Sequence, residues 1–125
     1  MINSELHAFI RACVRSVWAL ELLVLLRREP GKPWTAEALV HEMRASTAVV
    51  SDALAAFEAI GLVRRGEEPA IWTYAPAAPA LDQLADQLEA VYRQRPTAVV
   101  KTILSLPNDK LQSFADAFRF KGDPK

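Results

Sequence analysis

The stretch ASTAVVSDALAAFEAIGLVRR, residues 45–65, decides the fold. Ser46 is placed to cap a helix over residues 47–60, because its hydroxyl can accept a hydrogen bond from a free amide of the first turn. Gly61 is placed to end that helix, since glycine adopts the left-handed conformation of a C-cap at low cost. The letters LVRR that follow the glycine are typical of a strand.

The segments on either side of this helix predict a second short helix and a β-hairpin. Thr35 can cap the helix AEALVHEMR, with Leu39 and Met43 as its core positions. The stretches LVRR and AIWTYAP predict two strands, joined by the turn GEEP. The predicted order is therefore helix, helix, turn, helix and hairpin.

Residues 4–28 contain no proline or glycine, and their apolar positions alternate between steps of four and three. This spacing predicts a helix-packing seam. Ser4 can cap the start of the segment, and Ser16 can cap a second helix within it, so one long helix and two shorter helices are both compatible with the pattern. The seam consists of Leu6, Ile10, Cys13, Val17, Leu20 and Val24.

The C-terminal third is also predicted to be helical. In PALDQLADQLEAVYRQ one face of the predicted helix carries Leu81, Leu84, Leu88, Val91 and Tyr92. Pro96 suits the first turn of the next helix, whose predicted core face consists of Val99, Val100, Ile103 and Leu104. Phe114 and Phe118 then lie one helical turn apart.

The length of 125 residues suits one compact domain. We divide it into an N-terminal helical arm (1–34), a core (35–77) and C-terminal helices (78–125). The apolar faces of the two arms exceed what the small core can cover, which predicts a homodimer. The residues assigned to its interface are Leu6, Ile10, Cys13, Val17, Phe114 and Phe118.

Composition excludes several classes of function. Lys plus Arg and Asp plus Glu both number 15, so no basic excess indicates nucleic acid. The single cysteine suits a reducing cytoplasm, and the longest apolar run is interrupted by Glu21 and too short to cross a membrane. His7, Cys13 and His41 lack the spacing of metal ligands, and no phosphate-binding loop or nucleophile motif is present. We therefore expect no enzyme, metal or cofactor.

The segment WTAEALVHEMRASTAVVSDALAAFEAIGLVRR resembles the winged helix-turn-helix of MarR-like and PadR-like transcriptional regulators, over residues 35–77. The resemblance implies a mainly α-helical fold with a small β-hairpin, and helical arms at both ends that dimerise. It further implies that the dimer binds duplex DNA. The sequence departs from the pattern in three ways: the recognition helix has no basic residue, the wing turn is very short, and that turn carries Glu67 and Glu68.

The residues predicted to contact DNA or another partner lie on the outer face of the recognition helix and on the strand after it. They are Ser46, Thr47, Ala48, Ser51, Asp52, Ala55, Arg64 and Arg65. Residues 35–77 contain three arginines and six acids, a net charge of −3, whereas DNA affinity depends mainly on Lys and Arg contacts to phosphate. A protein of the transcription apparatus is therefore an alternative partner, and a small effector held by the arms is a third option.

The cations near the end of the first segment and in the hairpin, and several aromatic residues, each allow a functional and a structural interpretation. Arg27, Arg28 and Lys32 either reach DNA or simply favour the C-terminal end of a helix. Arg64 and Arg65 either clamp phosphate or line a solvated strand edge. The aromatic residues are better explained by core and hairpin packing than by a ligand cage. This applies to four aromatic residues, Trp18, Trp34, Trp72 and Tyr74.

Overall fold

The computed structural model describes residues 2–67 and 70–106. Within them the chain is mainly helical, with one antiparallel hairpin of two strands. The elements, in chain order, are α1 (Ser4–Cys13), α2 (Val17–Arg28), α3 (Ala36–Met43), α4 (Thr47–Ile60), β1 (Val63–Gly66), β2 (Ile71–Tyr74), α5 (Pro79–Gln94) and α6 (Pro96–Leu104).

The N-terminal segment forms two helices rather than one. Asn3 caps α1 through a hydrogen bond that its Oδ1 accepts from the amide of Leu6 (2.8 Å), so the prediction that Ser4 is the cap was wrong by one residue. Ser16 caps α2, and its Oγ accepts from the amide of Ala19 (3.0 Å). A side-chain acceptor at Ser16 thus starts a new helix instead of continuing α1.

The predicted N-terminal caps of α3 and α4 and the predicted C-terminal end of α4 are confirmed, whereas α3 ends at Met43, one residue earlier than predicted. The hydroxyl of Thr35 accepts from the amide of Ala38 (3.1 Å), and that of Ser46 accepts from the amide of Val49 (3.2 Å). Gly61 ends α4 in the left-handed conformation, with φ 90°. These local hydrogen bonds satisfy free amides of the first turns and so fix where α3 and α4 begin.

The hairpin follows α4 in the predicted place. Val63 pairs with Tyr74 and Arg65 pairs with Trp72. Trp34, in the connection between α2 and α3, extends this pairing: its amide donates to the carbonyl of Trp72 (2.9 Å) and its carbonyl accepts from the amide of Trp72 (2.7 Å). The α2–α3 connection is therefore fastened to the outer edge of β2.

One hydrophobic cluster joins the helices α1 to α6 and the hairpin. In α5, Ala85 and Leu88 are buried, while the other apolar residues of the predicted face are half-buried against the cluster. In α6, Val99 and Ile103 are buried as predicted, but Leu104 is 72% exposed. The assignment of Leu104 to the core was wrong, because adjacent helical residues point about 100° apart and Ile103 already takes the inward direction.

The α1 seam is part of this same cluster. Leu6, Ile10 and Cys13 are at most 1% exposed within a single chain, and Val17 is half-buried. The first three side chains therefore have no surface left to offer to a second chain, which corrects their assignment to a dimer interface. Phe114 and Phe118, the other residues assigned to that interface, lie outside the described residues.

Candidate functional site

The outer face of α4 is open to solvent, and the structure brings the predicted residues together on it. The opposite face packs into the core through Val50, Ala53, Leu54 and Phe57. Because α4 has 3.6 residues per turn, burial of those four leaves the other side of the helix exposed. The exposed residues at its start and along this side are Ser46, Thr47, Ala48, Ser51, Asp52 and Ala55.

The chemistry of this face is small and weakly polar. Thr47 and Ser51 carry hydroxyls, which can donate and accept hydrogen bonds. Asp52 is exposed and is already engaged in a hydrogen-bond or electrostatic interaction within the chain. No lysine or arginine lies in α4 itself. Positive charge near this face must therefore come from neighbouring elements.

The turn before α4 supplies one such charge. Arg44 follows α3 in the left-handed conformation (φ 55°, ψ 40°), and its amide donates to the carbonyl of Val40. Its side chain is exposed two residues before Ser46, next to the positive end of the α4 dipole. The sequence prediction omitted Arg44, although its position between two capped helices was a usable signal.

The hairpin supplies two more cations, on opposite faces. Arg64 and Arg65 are both exposed, and since neighbouring residues of a strand alternate, their side chains leave β1 in opposite directions. The guanidinium of Arg65 lies over the ring of Trp72, 5.6 Å from its centroid. This contact holds Arg65 against the sheet and leaves Arg64 less constrained.

Acidic residues surround the same unit. Glu37 and Glu42 on α3, Glu58 on α4 and Glu67 after β1 are all exposed. Glu68 lies outside the described residues. The exposed arginines of this unit are therefore outnumbered by exposed carboxylates, as the net charge of −3 for residues 35–77 indicates.

Arg27, which had been considered as a possible DNA contact, instead binds carboxylates inside the chain. Its Nη1 donates to Glu89, and its Nη2 lies 3.3 Å from Asp86 Oδ1 and 3.8 Å from Asp82 Oδ1. These three acids recur at steps of four and three on α5, so they share one face of that helix. With its side chain only 15% exposed, Arg27 joins α2 to α5 rather than facing a partner.

Tyr74 completes this cluster. Arg27 Nε donates to its hydroxyl (3.3 Å), and the hydroxyl donates to Asp82 Oδ1 (2.7 Å). Burial and the bond to Asp82 raise the pKa of Tyr74. Burial lowers the pKa of Arg27, but the bond to Tyr74 and the charge of Glu89 outweigh it, so that pKa is raised overall. Sequence reasoning missed this cluster, although the net charge of −3 in residues 78–92 was a visible signal.

The other two cations near the end of α2 differ from Arg27. Lys32 Nζ lies 4.1 Å from the centroid of the Trp34 ring and 3.6 Å from Glu29 Oε2. Arg28 is exposed, and it makes no hydrogen bond or ion pair with any residue in the described ranges. Arg28 is thus available to an external group, whereas Arg27 is already paired within the chain and Lys32 partly so.

Three of the four aromatic residues pack as predicted. Trp34 and Tyr74 are buried, and Trp72 is half-buried against the same cluster. Trp18 is the exception, because 46% of its surface is exposed. The core does not cover Trp18, so its assignment to core packing was wrong.

The described residues contain no group of three or more His, Cys, Asp or Glu side chains arranged to hold a metal ion. In the same ranges, no helix has the length and apolar character needed to span a bilayer. Comparisons with protein-family models, with curated proteins and with solved structures gave no match. The function has therefore to be inferred from the geometry of this chain.

Proposed function

We propose that this chain is a winged-helix transcriptional regulator that binds duplex DNA as a dimer. The observation that carries the proposal is the arrangement of α3, a tight turn and α4, followed by a hairpin that Trp34 extends by one bridge. This order of elements is that of the winged helix-turn-helix which the sequence resembles. It leaves the outer face of α4 open, as insertion into a major groove requires.

In this proposal α4 contacts base edges and its neighbours contact phosphates. Thr47 and Ser51 offer hydroxyls to the groove, where such groups can donate to or accept from either base pair. Arg44 and Arg64 are exposed on the elements before and after α4, where they would neutralise phosphates on the two sides of the groove. Arg65, stacked on Trp72, would add a third and more rigid contact.

A second candidate function is docking of a protein of the transcription apparatus on the same face. The observation that favours it is the composition of that face. Ala48 and Ala55 are exposed, and α4 carries two acidic residues but no lysine or arginine. Small apolar residues allow another backbone to approach closely, whereas phosphates would be repelled by the acids. The two candidates predict opposite results with DNA.

The deciding experiment is a titration of labelled duplex DNA with the whole chain at several salt concentrations, followed by fluorescence anisotropy. For DNA binding we expect dissociation constants of about 10⁻⁴ to 10⁻⁶ M on random duplex, and tighter values on a specific site. Three arginines per chain make six phosphate contacts in a dimer, so the logarithm of affinity should fall with the logarithm of salt with a slope of about −5.

No binding near 50 mM salt, a rough lower bound for such assays, would overturn the DNA proposal and favour protein docking. In that case a partner captured from lysate should be lost with Ala48→Glu and with Ala55→Arg. The matched control is Gln83→Arg, which changes the charge of an exposed residue on α5 instead. Tight, sequence-selective binding of DNA by the wild type would exclude docking as the main role.

A further inference from the structure

An unusual stripe runs along the exposed side of α2. Trp18, Glu21, Leu25 and Arg28 follow one another at steps of three, four and three, the spacing by which one helix packs along another. With Glu42 and Met43 of α3 they line a groove of about 340 Å³. Leu25 is 7% exposed and belongs to the core, whereas Trp18, two helical turns before it, is 46% exposed.

The charges of this stripe are of both signs. Arg28 has no hydrogen-bond or ion-pair partner in residues 2–67 and 70–106. Glu21 accepts a hydrogen bond from the Tyr92 hydroxyl through Oε2 (2.5 Å), which leaves Oε1 for another donor. The two residues are seven positions, or two turns, apart on α2, which is about 10.5 Å along the helix axis.

We propose that a second copy of this chain covers the stripe, with the two α2 helices antiparallel about a twofold axis. If the axis passes between residues 24 and 25, Arg28 faces Glu21 of the partner subunit, and the symmetry repeats this ion pair. Leu25 then lies next to the axis, and each Trp18 covers the end of the other helix. A patch that carries both members of an ion pair is complementary to itself, which is what a twofold interface requires.

The stripe is an interface for the proposed dimer, which the buried α1 seam cannot form. The inference rests on the dimer of the proposed function. Self-association is measured without DNA, so failure of DNA binding and failure of this interface are distinguishable. A different protein would not carry the same two charges in the symmetric arrangement, so exchanging Glu21 and Arg28 within this chain would not restore its binding. Charge reversal therefore separates a second copy from another partner.

The test is sedimentation equilibrium of the whole chain between 1 and 100 µM, a rough range that spans common dimer affinities. The wild type should approach twice the chain mass of 13.9 kDa. Trp18→Ala should weaken association about tenfold or more, because tryptophan is enriched among the residues that carry most of the binding energy of an interface and each dimer loses two of them. Arg28→Glu and Glu21→Arg should each weaken it, because each places like charges opposite one another at both ends.

The double variant Arg28→Glu/Glu21→Arg should restore association to within about threefold of the wild type, since the pair is re-formed with its charges exchanged. Tyr92→Phe removes the hydrogen bond to Glu21 without changing charge and should leave the dimer unchanged. Leu104→Ala, at an exposed apolar residue outside the stripe, is a second control. Thermal unfolding of each variant checks that it is folded.

Three results would overturn the inference. A wild-type monomer throughout the range would exclude the dimer and this interface together. A dimer that is unaffected by Trp18→Ala and by charge reversal would place the interface elsewhere. Weakening by both single reversals without recovery in the double variant would exclude the antiparallel pairing of Arg28 with Glu21.

Discussion

Arg27 and Tyr74 are joined by a hydrogen bond from Nε to the hydroxyl (3.3 Å), which links the end of α2 to the last residue of β2. The guanidinium carbon also lies 5.7 Å from the centroid of the tyrosine ring. The same arginine pairs with the acids of α5, so one side chain connects the first half of the chain, the hairpin and the C-terminal helices. Its removal leaves three carboxylates without their shared cation.

We expect Arg27→Met to lower the free energy of unfolding by about 1–3 kcal/mol. Loss of one partner from a buried pair costs about 3–5 kcal/mol, and the exposure of Asp82 and Asp86 to water reduces that figure. The measurement is urea unfolding followed by circular dichroism. Arg93→Met is the control, because Arg93 pairs with the same Glu89 (3.5 Å) but is 70% exposed. Equal effects of the two variants would contradict the structural role of Arg27.

The packing of α4 is tested at Leu54, which is 1% exposed. Leu54→Ala should lower the free energy of unfolding by about 2–5 kcal/mol, because it removes buried methyl groups and leaves a cavity. Leu104→Ala makes the same chemical change at a residue that is 72% exposed, and it should change stability by no more than about 0.5 kcal/mol. Thermal unfolding compares them, and a negligible shift for Leu54→Ala would mean that a different face of α4 is buried.

Two glycines with positive φ provide a matched pair. Gly61 has φ +90°, and a Cβ there would lie 3.1 Å from Cβ of Ala77. Gly31 has φ +86°, but a Cβ there meets no atom within 4 Å. Both alanine variants incur the left-handed strain of about 1–2 kcal/mol, and only Gly61→Ala adds a steric clash. Chemical denaturation should show the larger loss for Gly61→Ala; the reverse order would be inconsistent with the packing of Gly61 on Ala77.

Cys13 should resist thiol reagents in the folded protein. It is 1% exposed, and burial raises the pKa of its thiol from the ordinary 9.0 to about 12. Reagents react with the exposed thiolate, so the folded chain should react with Ellman's reagent at pH 8 only at the rate at which it unfolds. Because Cys13 is the only cysteine, the absorbance reports this site alone. Immediate stoichiometric reaction without denaturant would show that Cys13 is accessible.

The same raised pKa predicts the direction of a pH effect. Between about pH 9 and 12 the unfolded chain loses the thiol proton while the folded chain keeps it, so the free energy of unfolding falls as pH rises. The contribution is fully present below pH 9 and is lost toward pH 12. Tyr74, whose pKa is also raised, acts in the same direction above its ordinary value of 10.0. Cys13→Ala should flatten the pH dependence measured by urea unfolding, and an unchanged slope would exclude a role for Cys13.

The DNA proposal makes a charge prediction on the outer face of α4. Ser51→Arg should tighten duplex binding and steepen its salt dependence by about one counterion per chain. Ser51 is preferable to Asp52 for this test, because Asp52 already interacts within the chain. Arg64→Ala should weaken binding and reduce the salt slope by about one. Both effects are measured by anisotropy in a salt series.

Gln83→Arg is the control for added charge, since it places the same side chain at an exposed position of α5. If Gln83→Arg alters the salt slope as much as Ser51→Arg does, binding responds to overall charge rather than to the α4 face. In that case the base-edge role proposed for Thr47 and Ser51 would be withdrawn.

The helix boundaries were largely predictable because caps are local. Ser46 and Thr35 each bond an amide three residues further along, and Gly61 ends α4 through its own backbone conformation. Such signals are contained in a few adjacent residues and do not depend on the rest of the fold. The apolar faces of α4 and α5 could be predicted for the same reason. The prediction failed in the last turn of α6, where Leu104 is exposed.

Which surfaces remain open was decided only by the tertiary structure. An apolar seam predicts that a face is buried, but the sequence does not say whether the chain itself or a partner covers it. Leu6 and Ile10 are covered within the chain, whereas Trp18 is not. The burial of Leu6 and Ile10 depends on the packing of α1 against α4 and α5, which are distant in sequence.

One part of the candidate site could be predicted from the sequence, and another part was decided only by the tertiary structure. Its α4 residues follow from one helical period, so the sequence alone places Thr47, Ala48, Ser51 and Ala55 on one exposed face. The availability of each cation does not follow from the sequence. Arg27 is bound by Tyr74 and Glu89, 47 and 62 positions further along, while the adjacent Arg28 is left exposed. Local hydrogen bonds and helical periodicity thus determined the elements, and only long-range packing decided which charges are already paired, because such partners meet only when the chain has folded.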